Sequence, residues 1–586
     1  MTKKIPYAIL ILILIVSFSL MLSVSPKESA TMDELAHIPA GYGYLQYLDY
    51  RLNPEHPPLV KVISAIPLLF LGLDFPITHS SWSEDINGQW EVGNQFLYHS
   101  GNDADRLIFW ARLGPTILTL LLSVFIFLWA KELLGARWAL LPTFLFAFSP
   151  TVLAHGHYVT TDIGAAFGVV SATYFFIKFL LKPTGWHLVF AGLAFGVAQL
   201  MKFSVALLAP YFLILILIWG VRRWARLRHF LSLAAIFLIG LFLIYLVYFL
   251  FTLNYPISKQ VADTESIMAS SKYPWLAELN VKMAGDKFFR PLAQYLLGLL
   301  MAGQRSAHGN TAYFLGKISN AGWWYYFPVI FLLKEPISSL ILILAAFLFG
   351  FWKIIKQFKI KNLKLKILFD YLGTHFAEFS MLVFVIFYWL YSMQSSLNIG
   401  LRHILPTTPF IYILTASGLK NWANNRFLKY SFKLGLIILF LFWHLLETVR
   451  AHPFYLSYFN QFGGGVDQGY RNVTDSNYDW GQDLKRLAVF VKEKNIKKIA
   501  VDYFGGGEAK YYLGEKAESW WSARGNPKDI GVEWLAVSIN TLQGALAKPV
   551  ANFQRNPEDE YRWLQELRDP LKPDFRAGTS ILIYKL

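Results

Sequence analysis

The chain contains no cysteine in 586 residues. This excludes disulfide bridges and thiolate metal sites, and leaves the compartment unmarked by redox chemistry. Charge is also scarce. Asp, Glu, Lys and Arg together make up 16% of the residues, against about 25% in an ordinary soluble domain. Acidic side chains are the rarer sign, 38 against 54 Lys and Arg, for a net charge of +16. In their place stands apolar surface: 55% of the residues are hydrophobic and 17% aromatic. Several uninterrupted apolar runs reach the ~20 residues that carry a helix across a bilayer, so the composition is that of a polytopic membrane protein. The basic residues cluster in short loops between these runs, where they orient the chain and meet anionic lipid; nucleic acid is not an expected partner.

Lys3 and Lys4 precede an apolar run from Ile5 to Val24. That run is long for a secretory signal and reads as an uncleaved first span with its N-terminus in the cytoplasm. Further spans are expected near 107–130, 137–154, 163–181, 186–202, 204–221, 229–253, 323–352, 378–395, 402–418 and 431–449, about eleven in all. Alternate loops carry Lys131 with Arg137, Lys178 with Lys182, the arginines of 222–228, and the basic stretches 353–366 and 420–433. Of the opposite loops, 25–105 holds more Asp and Glu than Lys and Arg. The positive-inside rule is thus obeyed by each of these basic loops, and an odd span count puts the C-terminus outside.

The expected fold is mainly α. A transmembrane bundle over 1–450 carries a long first outer loop, 25–106, and a second, 254–322, and is followed by a small α/β extracytoplasmic domain over 451–586. In the first loop, Leu59–Leu73 is apolar but interrupted by Pro67 and short for a span, which suggests a re-entrant or interfacial helix. In the tail, helix is expected over 484–494 and 558–568, and strand over 498–503, 534–539 and 580–584.

Polar residues that packing explains poorly gather in the expected outer loops. Asp33-Glu34 follows the first span, with His37 on the same helical face as Asp33 at i, i+4. A carboxylate at a low-dielectric surface suits a general base; as a structural alternative, acids in a first helical turn complement the dipole, with Thr31 as cap. Asn53-Pro54-Glu55-His56-Pro57-Pro58 forms a rigid corner, followed by Lys61. His155, His157 and Asp162 fall between the third and fourth spans. They are candidate metal ligands, although their spacing matches no standard site, and a plain polar turn is the alternative. Arg402-His403 opens the tenth span on the acidic side, against the charge rule, and Lys202 joins the fifth and sixth spans. A guanidinium there suits a lipid-linked phosphate; snorkelling to headgroups is the competing account. Lys334-Glu335, inside the eighth span, reads as a buried pair or as a break ahead of Pro336. In the tail, 475–483 begins like a calcium loop but lacks Gly at the sixth place and has Arg486 at the twelfth. A polar turn, or an acceptor-binding segment, remains. Gly505–Gly507 follows a strand but lacks the dinucleotide spacing.

Taken together, the acidic pair at 33–34, the corner at 53–58, Thr160-Thr161-Asp162 and Arg402-His403-Ile404-Leu405-Pro406 resemble the polyprenyl-phosphate-dependent GT-C glycosyltransferases. These include the protein O-mannosyltransferases and the aminoarabinose transferase of lipid A. The segments 322–336 and 458–484 look like a bacterial subgroup. The resemblance implies an inner-membrane enzyme that moves a sugar from a polyprenyl or dolichyl monophosphate to a protein, lipid or glycan hydroxyl at the outer face, with inversion. It puts Asp33 at the base position, Glu34 beside it and Asp162 at a second acidic site. Substrate contacts would come from His37, His56, Lys61, His157, Lys202, Arg402 and His403. The chain departs from some lipid A-type relatives in carrying His56 where they carry a phosphate-binding Lys. No cofactor is required by this chemistry, and a divalent metal is left open. A transporter or lipid flippase is the rival reading, and would place ionisable residues at span midplanes; a cell-envelope receptor is a third.

Overall fold

The computed structural model describes residues 4–223, 226–360, 373–425 and 428–586. The expected basic stretches at 222–228, 353–366 and 420–433 therefore lie partly outside the described residues.

The chain is mostly helical. Among the described residues, seven helices are long and apolar enough to cross a membrane: Ile5–Lys27, Ala104–Leu134, Asp162–Leu181, Phe203–Gly220, Arg228–Phe251, Phe376–Gln394 and Tyr430–Ala451. An eighth counts if the bent pair Tyr326–Lys334 and Ile337–Lys353, turned through 116°, is one span. That bend has a local cause. Pro336 cannot continue a helix and drives the residue before it out of the helical region; Glu335 is extended, with ψ 134°. Lys334 and Glu335 mark this break and take separate partners. Lys334 Nζ donates to the Leu456 carbonyl at 2.8 Å, while Glu335 accepts from the Tyr412 hydroxyl at 2.6 Å.

Three of the expected spans are carried by shorter helices, Ala136–Ala147, Gly185–Gln199 and Thr408–Ala423. At a rise of 1.5 Å per residue these reach only about 18–24 Å. Small residues bring such helices into close contact. A Cβ on Gly168 would lie 2.8 Å from Ala198 Cα, and one on Gly196 would lie 2.9 Å from the Gly240 carbonyl oxygen.

Four helices build the site described below: α1 (Met32–Tyr47), α2 (Ala104–Leu134), α3 (Asp162–Leu181) and α4 (Arg290–His308). The interfacial segment is a helix over Leu59–Ala65 that tightens to a 3-10 turn over Ile66–Phe70. Its outward side leaves Ile66 and Phe70 exposed, as a face lying in lipid would be.

The tail holds a mixed sheet of five strands. These are β1 (Ile499–Asp502), β2 (Ala517–Ser519), β3 (Trp534–Ser538), β4 (Phe575–Ala577) and β5 (Ile581–Lys585), in the order β2-β1-β3-β5-β4. The first three pair in parallel and the last two close the sheet antiparallel. The amphipathic helix Leu484–Glu493 buries Leu487 and Val491 against it.

Residues 475–483, although beyond the expected boundary at 451, interlock with the start of α1. The amides of Ser29 and Met32 donate to the carbonyls of Gln482 and Trp480 at 3.1 and 3.0 Å. The glycine run 505–507 serves the same contact. A Cβ on Gly506 would stand 2.2 Å from the Thr31 carbonyl oxygen, so only glycine lets the two backbones meet. Gly506→Ala is therefore expected to cost about 1–3 kcal/mol of stability, read as a lower thermal unfolding midpoint in lipid. An unchanged midpoint would show that this seam yields freely.

Candidate active site

Thr31 caps α1 in the manner its sequence suggests. Its amide and hydroxyl both reach Glu34 Oε2, at 2.9 and 3.0 Å. Glu34 is completely buried. Arg112 of α2 grips it through two nitrogens, Nε to Oε1 at 2.8 Å and Nη2 to Oε2 at 2.7 Å, and the Val159 amide adds a third contact at 3.0 Å. Burial raises the Glu34 carboxyl, but Arg112 and the two backbone amides outweigh it and hold it below the usual range. Every lone pair is engaged. Glu34 is thus not brought to the reacting space, contrary to its expected place beside the base: it locks α1 to α2.

One residue earlier, Asp33 points the other way. Its side chain is 22% exposed and lines a cavity of about 340 Å³. Arg402 Nη1 donates to Asp33 Oδ2 at 2.7 Å and to Asp162 Oδ2 at 3.3 Å, while Lys202 Nζ donates to Asp162 Oδ1 at 2.5 Å. Four residues scattered over the sequence therefore form one chain of alternating charge. Asp162, fully buried at the start of α3, stands behind Lys202 and Arg402 rather than in the cavity.

Burial raises the Asp33 carboxyl, yet Arg402 and His37 outweigh it, so the group titrates below the ordinary aspartate value. Activity that needs ionised Asp33 is expected to persist down to or below that value, ~3.9. In Arg402→Gln the lowering charge is gone and burial prevails, so the acid limb of the pH–rate profile should move to higher pH. A limb that stays in place would remove Asp33 as the titrating group.

The histidines divide. His56 and His403 line the cavity. Burial pushes both imidazoles well below their usual range, helped by His37 and Lys61 at His56, and by Lys202 and Arg402 at His403. They are neutral hydrogen-bonding groups at physiological pH. His37 does not reach the cavity. It packs edge-on behind His56, ring centroids 4.9 Å apart, and its Nδ1 is 2.8 Å from the Val159 carbonyl. His157 is held by Glu28 at 3.0 Å and the Leu153 carbonyl at 2.7 Å. Lys61, expected at the substrate, is fully buried and donates to Tyr44 Oη, Asn53 Oδ1 and the Asn53 and His56 carbonyls, all within 3.0 Å. It holds the 53–58 corner from behind. These three, His37, His157 and Lys61, support the site and do not line it. Among the described residues no group of three His, Asp or Glu converges in metal-binding geometry; His157 and Asp162 are committed to the partners given above.

Two charged residues of the cavity wall were not among the expected site residues. Glu55 accepts from Gln89 Nε2 at 2.6 Å and sits in the corner motif beside His56. Arg305, on the last turn of α4, lines the cavity with no ion pair among the described residues. Its signal was faint, one arginine near the end of an amphipathic helix. The remaining wall is largely apolar and aromatic, with Leu299, Ala302, Phe327, Tyr388 and Leu397, and is dotted with the hydroxyls of Thr161, Ser204, Ser306, Ser392 and Ser395.

The helical scaffold around this cavity shares its fold with a solved membrane oligosaccharyltransferase. Residues 104–249 match the dolichyl-phosphate-mannose-protein mannosyltransferase family. The archaeal oligosaccharyltransferase AglB from Archaeoglobus fulgidus, solved with an inhibitory peptide and a dolichol-phosphate, is 12% identical. It aligns with a TM-score of 0.50 over 93% of this chain and 71% of its own. ArnT from Cupriavidus metallidurans bound to undecaprenyl phosphate is 13% identical over 98% of each chain, with a TM-score of 0.43. The mycobacterial arabinofuranosyltransferase AftD is 12% identical over 98% of this chain and 39% of its own, with a TM-score of 0.37. No curated protein sequence matches the chain.

Proposed function

We propose that the protein transfers a sugar from a polyprenyl-phosphate-linked donor to an acceptor hydroxyl at the non-cytoplasmic face of the membrane, by a single inverting displacement. The observation that carries this reading is the cavity itself, where the Asp33 carboxylate and the cations Arg402, Lys202 and Arg305 share one space with an apolar wall. A donor of this kind is anionic at the phosphate and apolar along its tail, and needs both ends. The match over 104–249 to dolichyl-phosphate-mannose users supports the donor class, as does the dolichol-phosphate in the AglB complex.

In this reading Asp33 takes the proton of the acceptor hydroxyl as its oxygen attacks the anomeric carbon. The bond from that carbon to the phosphate oxygen breaks, and the polyprenyl phosphate leaves with the electron pair. Arg402, Lys202 and Arg305 stabilise its charge, a preorganised electrostatic role, while His56 and His403 donate or accept hydrogen bonds. Asp162 keeps Lys202 and Arg402 in register. No covalent sugar–enzyme bond forms, so the configuration inverts. The charge distribution among the loops supports a cytoplasmic N-terminus, eleven crossings completed by the three shorter helices, and a tail on the non-cytoplasmic side. The acceptor is a protein, lipid or glycan hydroxyl.

The test uses purified protein in lipid with polyprenyl-phosphate sugars and mixed cell-envelope acceptors. Release of free polyprenyl phosphate, matched by labelled acceptor, is expected. Movement of the intact donor between leaflets without release would sink the transferase reading and favour a flippase.

A further inference from the structure

The carboxylates of the site come from the helical part of the chain, but the group that Asp33 shares with Asp162 is held from the tail. Arg402 has three kinds of contact. Its Nη1 faces Asp33 and Asp162; its Nε donates to Ser476 Oγ at 3.0 Å; and the flat face of the guanidinium stacks on the Trp480 ring, 4.1 Å from the centroid. Ser476 in turn donates to the Ile399 carbonyl at 2.5 Å, and Asn477 Oδ1 accepts from the Leu401 amide at 2.9 Å. The turn is therefore tied to the backbone just ahead of Arg402. Trp480 is 1% exposed, and its carbonyl accepts from the Met32 amide, one residue before Asp33. One short segment thus contacts Arg402 and the residue that precedes its partner Asp33.

We propose that Ser476 and Trp480 are positioning residues that aim the Arg402 guanidinium at Asp33, so that the C-terminal segment completes the active site rather than being added beside it. This rests on the function proposed above. The physical argument is one of degrees of freedom. An arginine side chain has four rotatable bonds, and a single hydrogen bond to one nitrogen leaves its plane free to swing. Stacking fixes the plane, and the Nε contact fixes the rotation within it. What remains is an Nη1 that bridges the two carboxylates. The groups facing Asp33 are Arg402 from the 401–407 turn, His37 from its own helix, Asp162 from α3 and Asp475 from the tail. Arg402 is the largest charge that lowers it. Loosening Arg402 therefore raises the carboxyl.

The test compares pH–rate profiles of Trp480→Leu, Trp480→Phe and Ser476→Ala in full-length protein in lipid, with thermal unfolding measured alongside. Trp480→Leu and Ser476→Ala are expected to move the acid limb up by about one pH unit, while Trp480→Phe, which keeps an aromatic face, leaves it near the wild-type position. A role confined to packing would lower stability and leave the limb where it is. If Trp480→Leu does not fold, Ser476→Ala carries the comparison, since it removes one hydroxyl. Limbs at the wild-type pH in folded variants would overturn the proposal. Infrared titration of Asp33, assigned against Asp33→Asn, reads the same shift without turnover. A shift there in a protein that transfers no sugar would refute the function and keep the positioning; no shift would refute the positioning whatever the function.

Discussion

Replacing Asp33 with Asn is expected to lower sugar transfer by about 10²–10⁴-fold, the usual contribution of a positioned general base. Donor binding should be nearly unchanged. The substitution keeps the shape of the side chain and leaves Arg402 its bonds to Asp162, Ser476 and Trp480, so the fold and the cation cluster persist. What is lost is the capacity to take the acceptor's proton. The rate of polyprenyl phosphate release at saturating donor measures this, with thermal unfolding as the control. Transfer at the wild-type rate in folded, inserted protein would remove Asp33 from the chemistry. The neighbouring acid makes the contrast sharp: Asp33 faces the cavity with one ion pair to Arg402, whereas Glu34 accepts five hydrogen-bonding contacts from Arg112, Thr31 and Val159.

The second large effect falls on stability. Arg112→Met leaves the Glu34 carboxylate in the interior with only Thr31 and Val159 as partners. Breaking a buried pair from one side costs about 3–5 kcal/mol, because the remaining charge is uncompensated. Removing both charges together, as Glu34→Gln with Arg112→Met, should recover a large part of that loss, since a neutral pair of similar volume carries no desolvation penalty of this size. If Glu34 only locks α1 to α2, the double variant regains sugar transfer along with its fold. A folded double variant without activity would return Glu34 to the catalytic group. Unfolding in lipid and the transfer assay, run on the same samples, separate the two.

The placement of these residues explains how far sequence reasoning reached. Asp33 and Arg402 stand 369 positions apart, yet both were conspicuous as polar groups that the apolar context and the charge rule did not account for. Arg112 was missed, although a lone guanidinium inside a long apolar run is a feature that marks a buried partner; that partner is Glu34. Lys61 and His157 looked no different in sequence from Lys202 and His403. The first two are enclosed by the 53–58 corner and by Glu28, and the latter two border the cavity. Which way a side chain faces depends on how its helix is rotated by packing, and single-sequence patterns do not carry that rotation when the helix is apolar on all sides.

Local chemistry determined much of this protein: the absence of cysteine, the apolar runs that make it a helical membrane protein, the cap at Thr31, the break at Pro336 and the strands and helices of the tail. Each depends on residues within one turn or one run of the chain. The division of an adjacent acid pair into a lock and a reactive group was decided only in three dimensions, as were the sharing of Arg402 between Asp33 and Asp162 and the seating of Trp480 beneath it. These arise from contacts across hundreds of residues, and their energies depend on burial and on distances of a few ångströms, because charge interactions strengthen steeply where water is excluded.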